Sequence, residues 1–299
     1  MTLPTSDSIT VLGLGPMGMP MAKRLLIQHP GIVVWNRTPS KAMELQSLGA
    51  TPATSPSEAA REIVLTVLPD LRHVEDLVSG PEGLLAGWKA RGVANPVLVV
   101  HGTVSPTAVG IFAERMLREH GVRVLDAPVS GGIAGAENGS LSIMVGGEES
   151  TALSLWPIFE LMGTTVRYMG PSGSGALAKA CNQIVVAATI TAVSEAMLLA
   201  RASGLDLAVM QELLRGGLAD SQVLRQKGHR WISEDFSGGG SASNQLKDLR
   251  FIIDAANYQG LNLPVTNATA SLFNDMVKEG NGQLDHTGIY QSLSRNVTQ

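Results

Sequence analysis

Residues 8–26 read SITVLGLGPMGMPMAKRLL. Ser8–Leu12 has the β-branched character of a strand, and the helical stretch runs to about Leu26. Between them Gly13, Gly15 and Gly18 fall in the spacing G-x-G-x-x-G. A chain with 33 glycines can produce that spacing by chance, and a plain glycine-rich turn is the bland reading. The context argues for more. The motif follows a strand, opens a helix and sits in a unit of about 30 residues, as a dinucleotide-binding turn does. Gly13 allows the tight turn, Gly15 lets the backbone approach a pyrophosphate, and Gly18 lets helix and strand pack closely. The helix N-terminus then faces the phosphates. Gly13, Leu14, Gly15, Pro16, Met17 and Gly18 are the candidate cofactor residues of this turn.

The end of the second strand, Ile32–Trp35, selects the cofactor. An acid there would bind a ribose 2′-hydroxyl and repel a 2′-phosphate. The sequence has Asn36-Arg37-Thr38 and no acid. Arg37 suits a phosphate dianion, with Asn36 and Thr38 adding hydrogen bonds. The expectation is NADP(H), with NAD(H) the less favoured partner. The alternative is that Arg37 is an ordinary exposed arginine.

Outward from this unit the alternation continues. Helix is expected over Lys41–Leu48, and strands over Ile63–Leu68, Val97–Val100, Val122–Leu125 and Ser142–Val145. This is the pattern of a parallel sheet with right-handed crossovers. After Gly170 no strand run is evident. Helices are expected over about 175–202, 207–215, 245–258 and 265–278, with glycines between them. The expectation is therefore α/β: an N-terminal doubly wound Rossmann-type domain over 1–170, and a C-terminal all-helical domain over 171–299.

Composition narrows the function classes. Charged residues make up 16% and hydrophobic residues 44%, a globular balance. A net charge of −4 without a basic run gives no surface for nucleic acid or anionic lipid. One cysteine, Cys181, rules out an internal disulfide framework and fits a reducing, cytoplasmic setting. The opening MTLPTSDS lacks the charged and apolar regions of a secretory signal. The apolar run Ile184–Ala200 carries Glu195, costly inside a bilayer, so it reads as a core helix. No two histidines stand in a ligand spacing, and no metal is expected.

Two segments carry the chemistry. Asp126-Ala127-Pro128-Val129-Ser130-Gly131-Gly132 follows a strand at the end where open α/β sheets bind ligands. The Ser130 hydroxyl and the N–H groups of Gly131 and Gly132 would hold a small carboxylate; alternatively, the glycines serve only a tight connection. In Gly173–Gln183 (GSGALAKACNQ), Lys179, Asn182 and Gln183 share one helix face at i, i+3 and i+4. A buried lysine there exchanges its proton nearer neutral pH. A lysine snorkelling to solvent at the helix start is the other reading.

In this order the segments resemble the β-hydroxyacid dehydrogenase family, which includes 3-hydroxyisobutyrate dehydrogenases, tartronate and succinic semialdehyde reductases and the larger 6-phosphogluconate dehydrogenases. VLGLGPMGMPMAKRL, LDAPVSGGIAGAENGSLSIMVGG, GSGALAKACNQ, KDL (247–249) and GQLDHTG (282–288) carry the resemblance, over nearly the whole chain. It implies a Rossmann domain joined by a long helix to a helical domain, with the active site in the cleft between them. It implies Lys179 as general acid/base, and Ser130, Gly131, Gly132, Asn182 and Gln183 as substrate residues. It places Leu68, Pro69 and Thr103 along the cofactor and Lys247 near nicotinamide and substrate. Two positions depart from the family: Gly102, where a serine is usual, and Gly240, where an aromatic is common.

The expected reaction is NADP(H)-dependent hydride transfer on a small β- or γ-hydroxy acid or its semialdehyde. The alternatives are an imine reductase of the same fold, which usually replaces the lysine, and a non-catalytic binding protein of the family. The expected partners are the small substrate and further copies of the chain, as a dimer or tetramer, because one domain cannot easily cover an apolar helix of ~40 Å. His286, next to Asp285, reads either as part of the active-site rim or as an exposed surface histidine.

Overall fold

A computed structural model describes residues 8–295, so the opening segment judged against a signal sequence lies outside the described residues. The chain forms two compact units, Met1–Lys179 and Ala180–Gln299.

The first unit begins β1 (Ile9–Leu12), α1 (Gly18–Leu26), β2 (Val33–Trp35), α2 (Pro39–Gln46), β3 (Thr51–Pro52), α3 (Pro56–Ala59) and β4 (Ile63–Thr66). It continues α4 (Leu71–Val78), α5 (Leu84–Arg91), β5 (Val97–Val100), α6 (Pro106–His120), β6 (Arg123–Asp126), β7 (Val129–Ser130) and α7 (Gly132–Asn138). It ends with β8 (Leu141–Gly146), α8 (Glu149–Ser154), α9 (Trp156–Met162), β9 (Gly163–Gly170) and the start of α10 (Ser174–Ala202). The strand order is β3-β2-β1-β4-β5-β6-β8-β7, with β9 against β8. From β3 to β6 every pairing is parallel. The order reverses beside β1, which lies between β2 and β4: this is the switch point where doubly wound sheets bind ligands.

Alternation along the strands supplies a core on each face. Ile9, Val11, Ile63, Leu65, Val99 and Leu125 pack with Met21, Leu25 and Phe159 on one side. Leu12, Val33, Val64, Leu98, Val100 and Val124 pack with Trp88, Phe112 and Met116 on the other.

The parallel sheet of the sequence reading needs correction at its far edge. β8 runs antiparallel to both β6 and β7. The single helical excursion α7 between β7 and β8 is too short for a parallel crossover. β9, which the sequence reading missed, pairs parallel with β8 over Leu141–Gly146. Its sequence GTTVRYMG is half exposed and lacks a continuous apolar run. The first compact unit also runs past residue 170, because the first turn of α10 is bonded to β6, as shown below.

The second unit holds the rest of α10 with α11 (Leu207–Arg215), α12 (Gln222–Ser233), α13 (Ala242–Tyr258), α14 (Pro264–Met276) and α15 (Ile289–Arg295). Ala187, Ile190 and Met197 of α10 are fully buried in the unit's core with Leu224, Trp231, Leu249 and Phe273. The Ser194 hydroxyl donates to Ile190 O (2.8 Å) and accepts from Trp231 Nε1 (2.9 Å). Glu195 is exposed. One face of α10 is thus packed into the core of the unit, with Ser194 on that face bonded and Glu195 in solvent. α12 was not foreseen, since QVLRQKGHRWIS mixes polar residues with a central glycine. The helix expected over 265–278 ends at Met276 and passes into a wider turn, Val277–Asn281, that accommodates Gly280 at φ +86°.

Candidate functional site

In the first unit a chain of close contacts runs along the C-terminal ends of the parallel strands. It starts at the glycine turn. Gly13 has φ +94°, and a Cβ there would meet Val67 O at 2.6 Å. A Cβ on Gly18 would run into Gly13 O. At Gly15, by contrast, nothing lies within 4 Å of a Cβ. The turn therefore leaves an open cradle at the middle glycine while the outer two are held tight. The first turn of α1 has no acidic residue and no side-chain cap; Met19 N and Met21 N are bonded to Gly15 O and Met17 O, and Pro20 has no N–H. The open backbone at Gly15 leaves room for a pyrophosphate there.

Asn36 ties the turn to β2. Its Oδ1 accepts from Leu14 N (2.9 Å) and its Nδ2 donates to Thr38 O (3.1 Å). Both ends of the amide are thus used within the protein. Arg37 and Thr38 are exposed, and Arg37 has no ion-pair partner among the described residues.

Leu68 and Pro69 follow β4, with Leu68 half-buried and Pro69 exposed. A Cβ on Gly102 would run into Leu68 O, so the loops after β4 and β5 touch backbone to backbone. This accounts for the glycine where the family has serine. Thr103 is half-buried beside it. His101 is buried, with Nδ1 2.6 Å from Ala127 O and its ring edge-on to Phe159. Burial pushes its pKa down to about 4, against a smaller opposing effect of the Ala127 hydrogen bond. The neutral ring donates from Nδ1.

The contact chain continues to Asp126, at the end of β6. It is 1% exposed, and its carboxylate accepts from Gly173 N (2.8 Å) and Ala176 N (2.7 Å). Burial raises the carboxyl above its usual range, opposed by the backbone N–H groups that face it. Beyond it, Ser130 pairs with Ser142 of β8. Gly131 (φ +134°) and Gly132 (φ +68°) both occupy backbone conformations that L side chains rarely adopt. Ser130 and Gly131 are half-buried and Gly132 is exposed. Lys179 stands one turn after Ala176 on α10 and is 7% exposed. It does not snorkel to solvent.

In the second unit α10 continues the polar stripe. Asn182 Nδ2 donates to Gln183 Oε1 (3.0 Å), and Gln183 Nε2 donates to Asp248 Oδ2 (2.9 Å). Lys247 Nζ lies 3.2 Å from Asp248 Oδ1 and 5.2 Å from the Phe251 ring centroid. Asp285 is fully buried. It binds Lys227, Gly240 N (3.0 Å) and the N–H and hydroxyl of Thr287 (3.0 and 2.7 Å). Burial pushes its carboxyl up, but His286, Lys227 and Thr287 more than offset that and hold it low. His286 is half-buried, with Nδ1 3.1 Å from Gln245 Oε1. Its ring lies 3.4 Å from where a Cβ on Gly240 would sit, filling space at that departure from the family.

Sequence reasoning missed Asp126, Asp248 and Asp285 as organisers. Each sits inside a quoted motif, and an acid embedded in an apolar or glycine-rich stretch was the available signal. Among the described residues no group of three potential metal-ligating side chains comes together.

A doubly wound sheet with an open glycine cradle at its switch point defines a dinucleotide-binding protein. Residues 8–170 match the family described as the NAD-binding domain of 6-phosphogluconate dehydrogenase. Residues 173–293 match the NAD-binding domain of NADP-dependent 3-hydroxyisobutyrate dehydrogenase. The chain is 38% identical to 2-hydroxy-3-oxopropionate reductase of Escherichia coli, over 94% of this chain and 95% of that one. It is 34% identical to an NAD-dependent L-serine dehydrogenase of Pseudomonas aeruginosa, over 94% and 96%. The Mycobacterium tuberculosis 3-hydroxyisobutyrate dehydrogenase structure with L-serine superposes at a TM-score of 0.81, with 27% identity over 98% and 99% of the two chains. The chain belongs to the β-hydroxyacid dehydrogenase family, the NAD(P)-dependent oxidoreductases of small hydroxy acids.

Proposed function

We propose that the protein reduces a short semialdehyde acid to its hydroxy acid, reversibly, with NADP(H) preferred and Lys179 as general acid/base. The observation that carries this reading is a lysine 7% exposed on the helix whose start is bonded to the end of β6. Bound NADPH would supply a hydride from C4 of the nicotinamide. Lys179 as ammonium would hydrogen-bond the carbonyl oxygen and give it a proton as the carbon is reduced. Its charge would also stabilise the developing alkoxide. In oxidation the neutral amine takes the hydroxyl proton. Ser130 with the Gly131 and Gly132 N–H groups would hold the carboxylate, and Asn182 and Gln183 would orient the substrate oxygen. Arg37 and Thr38 are the groups left to meet a 2′-phosphate, since Asn36 is engaged within the protein.

The two relatives named above, a semialdehyde reductase and a serine dehydrogenase, favour a three-carbon acid with one further polar group. The test is turnover with NADPH on tartronate and succinic semialdehydes, and with NADP⁺ on glycerate, 3-hydroxyisobutyrate, 3-hydroxypropionate, 4-hydroxybutyrate and serine. Lys179→Ala is expected to cost about 10²–10⁴ in kcat with NADPH binding retained. Near-full activity would reject the assignment, and oxidation of NADPH only with a cyclic imine would favour imine reduction instead.

A homo-oligomer belongs to the same reading. No residue of α11 is buried, and Val209 and Leu213 on it are 62% and 69% exposed, as are Val185 (65%) and Leu199 (70%) on α10. Large apolar side chains left this open on two helices of one unit support the reading of an association surface. Light scattering of the purified protein gives the copy number, and a monomer at micromolar concentration would reject it.

A further inference from the structure

We propose that Asp126 is the residue that positions Lys179, by bonding the start of α10 to the end of β6. A helix start needs acceptors for its free N–H groups, and a Ser or Asp next to it in sequence commonly supplies them. Here the first turn opens with Gly173, which has no side chain to offer. The acceptor comes instead from 47 and 50 residues earlier in the chain. A local cap would satisfy the same N–H groups and leave the helix free to shift against the sheet. A remote one decides where the helix sits.

The surroundings enforce the same placement. A Cβ on Gly175 would run into Asp126 O and Met144 O, so the helix backbone rests directly on β6 and β8. A Cβ on Gly146 would meet the two Asp126 carboxylate oxygens at 2.7 and 2.8 Å and Gly175 N at 2.6 Å. The junction has no slack. Lys179 follows Ala176 by three residues, ~4.5 Å along the axis, so its direction is fixed by the same bonds. Asp126 also lies four residues before Ser130, which β8 holds through Ser142. One carboxylate therefore relates the proton donor to the carboxylate-holding turn, both within the first unit. This inference rests on the reading of Lys179 as general acid/base.

The test uses the full chain with NADPH and tartronate or succinic semialdehyde. The variants are Lys179→Ala, Asp126→Asn, Asp126→Ala and Gly175→Ala. Active sites are counted by NADPH fluorescence, so that unfolded protein is excluded. Asp126→Ala is expected to lower kcat per NADPH site by ~10–100-fold, the cost of a displacement on the order of 1 Å, with KM changing far less. Asp126→Asn, which keeps one acceptor, should retain more activity than Asp126→Ala. Gly175→Ala should reproduce the kcat loss, and its combination with Asp126→Ala should be less than additive. A merely structural role would lower the number of NADPH sites and the melting temperature, and leave kcat per site unchanged. That result, with Lys179→Ala inactive, would overturn the positioning role alone. Full activity of Lys179→Ala, or no turnover by the parent protein, would overturn the catalytic reading and this inference with it.

Discussion

Asp248 Oδ2 accepts a 2.9 Å hydrogen bond from Gln183 Nε2, and that bond fixes which end of the Gln183 amide faces Asn182. With its NH₂ committed to Asp248, Gln183 presents Oε1, and Asn182 Nδ2 donates to it at 3.0 Å. The acid of the KDL motif thus sets the polarity of the amide pair on α10. Both Gln183 and Asp248 are buried, so a lost partner is not replaced by bulk water. Asp248→Ala is expected to cost about 2 kcal/mol of stability, the range for a buried hydrogen bond to a charged group. Asp248→Asn keeps an acceptor and should cost less. Urea unfolding of the two variants, and of each combined with Gln183→Leu, checks this. Additive losses would mean that the two side chains do not act as a unit.

Arg37 is the exposed cation at the end of β2. If it meets the 2′-phosphate, Arg37→Ala should lower kcat/KM for NADPH about tenfold, since a charge-assisted contact of ~1.5 kcal/mol is lost. NADH, which lacks that phosphate, should be nearly unaffected. Steady-state kinetics with both cofactors decides it, and an equal loss for the two would assign Arg37 to general stability.

The parts of the fold legible in the sequence were those with local signals. The glycine turn declared itself because the three glycines have separate steric duties, and two of these appear directly as backbone approaches at Gly13 and Gly18. The parallel strands β4 and β5 were legible because strands buried on both faces read as near-continuous apolar runs. β9 was not, because Thr165, Arg167 and Met169 alternate toward solvent and leave no continuous apolar run. Lys179 was visible as a charge among small residues, but nothing local said whether it was buried. That depended on packing that no spacing encodes. Asp126 and Asp248 were hidden for the same reason: their partners lie 47 to 65 residues away in the chain.

Gly102 is a case where the missing side chain reflects space. A serine there would bring back the hydroxyl usual in the family, but its Cβ would collide with Leu68 O. Backbone cannot swing aside as the end of a long side chain can. Gly102→Ser should therefore lower the melting temperature and reduce NADPH binding, since Leu68 leads out of β4 beside the glycine turn. Unchanged melting with improved kcat/KM would show that the two loops separate easily.

His101 gives the protein a defined acid sensitivity. The free side chain titrates near 6.5, whereas burial between Ala127 O and Phe159 lowers the folded value to about 4. A depressed folded pKa means that the unfolded chain binds the proton first. The stability associated with a neutral His101 is thus fully present above pH 6.5 and is lost as pH falls toward 4. At 1.36 kcal/mol per unit, the loss across that window is about 3 kcal/mol. Asn can donate to Ala127 O from the same side and cannot titrate. His101→Asn should lower stability at pH 7.5 through lost packing, yet flatten its fall between pH 6.5 and 4. Urea midpoints of both proteins at pH 7.5, 6.0 and 4.5 measure the difference. Parallel curves for the two would show that the buried ring accepts its proton without cost, and that the acid sensitivity resides elsewhere.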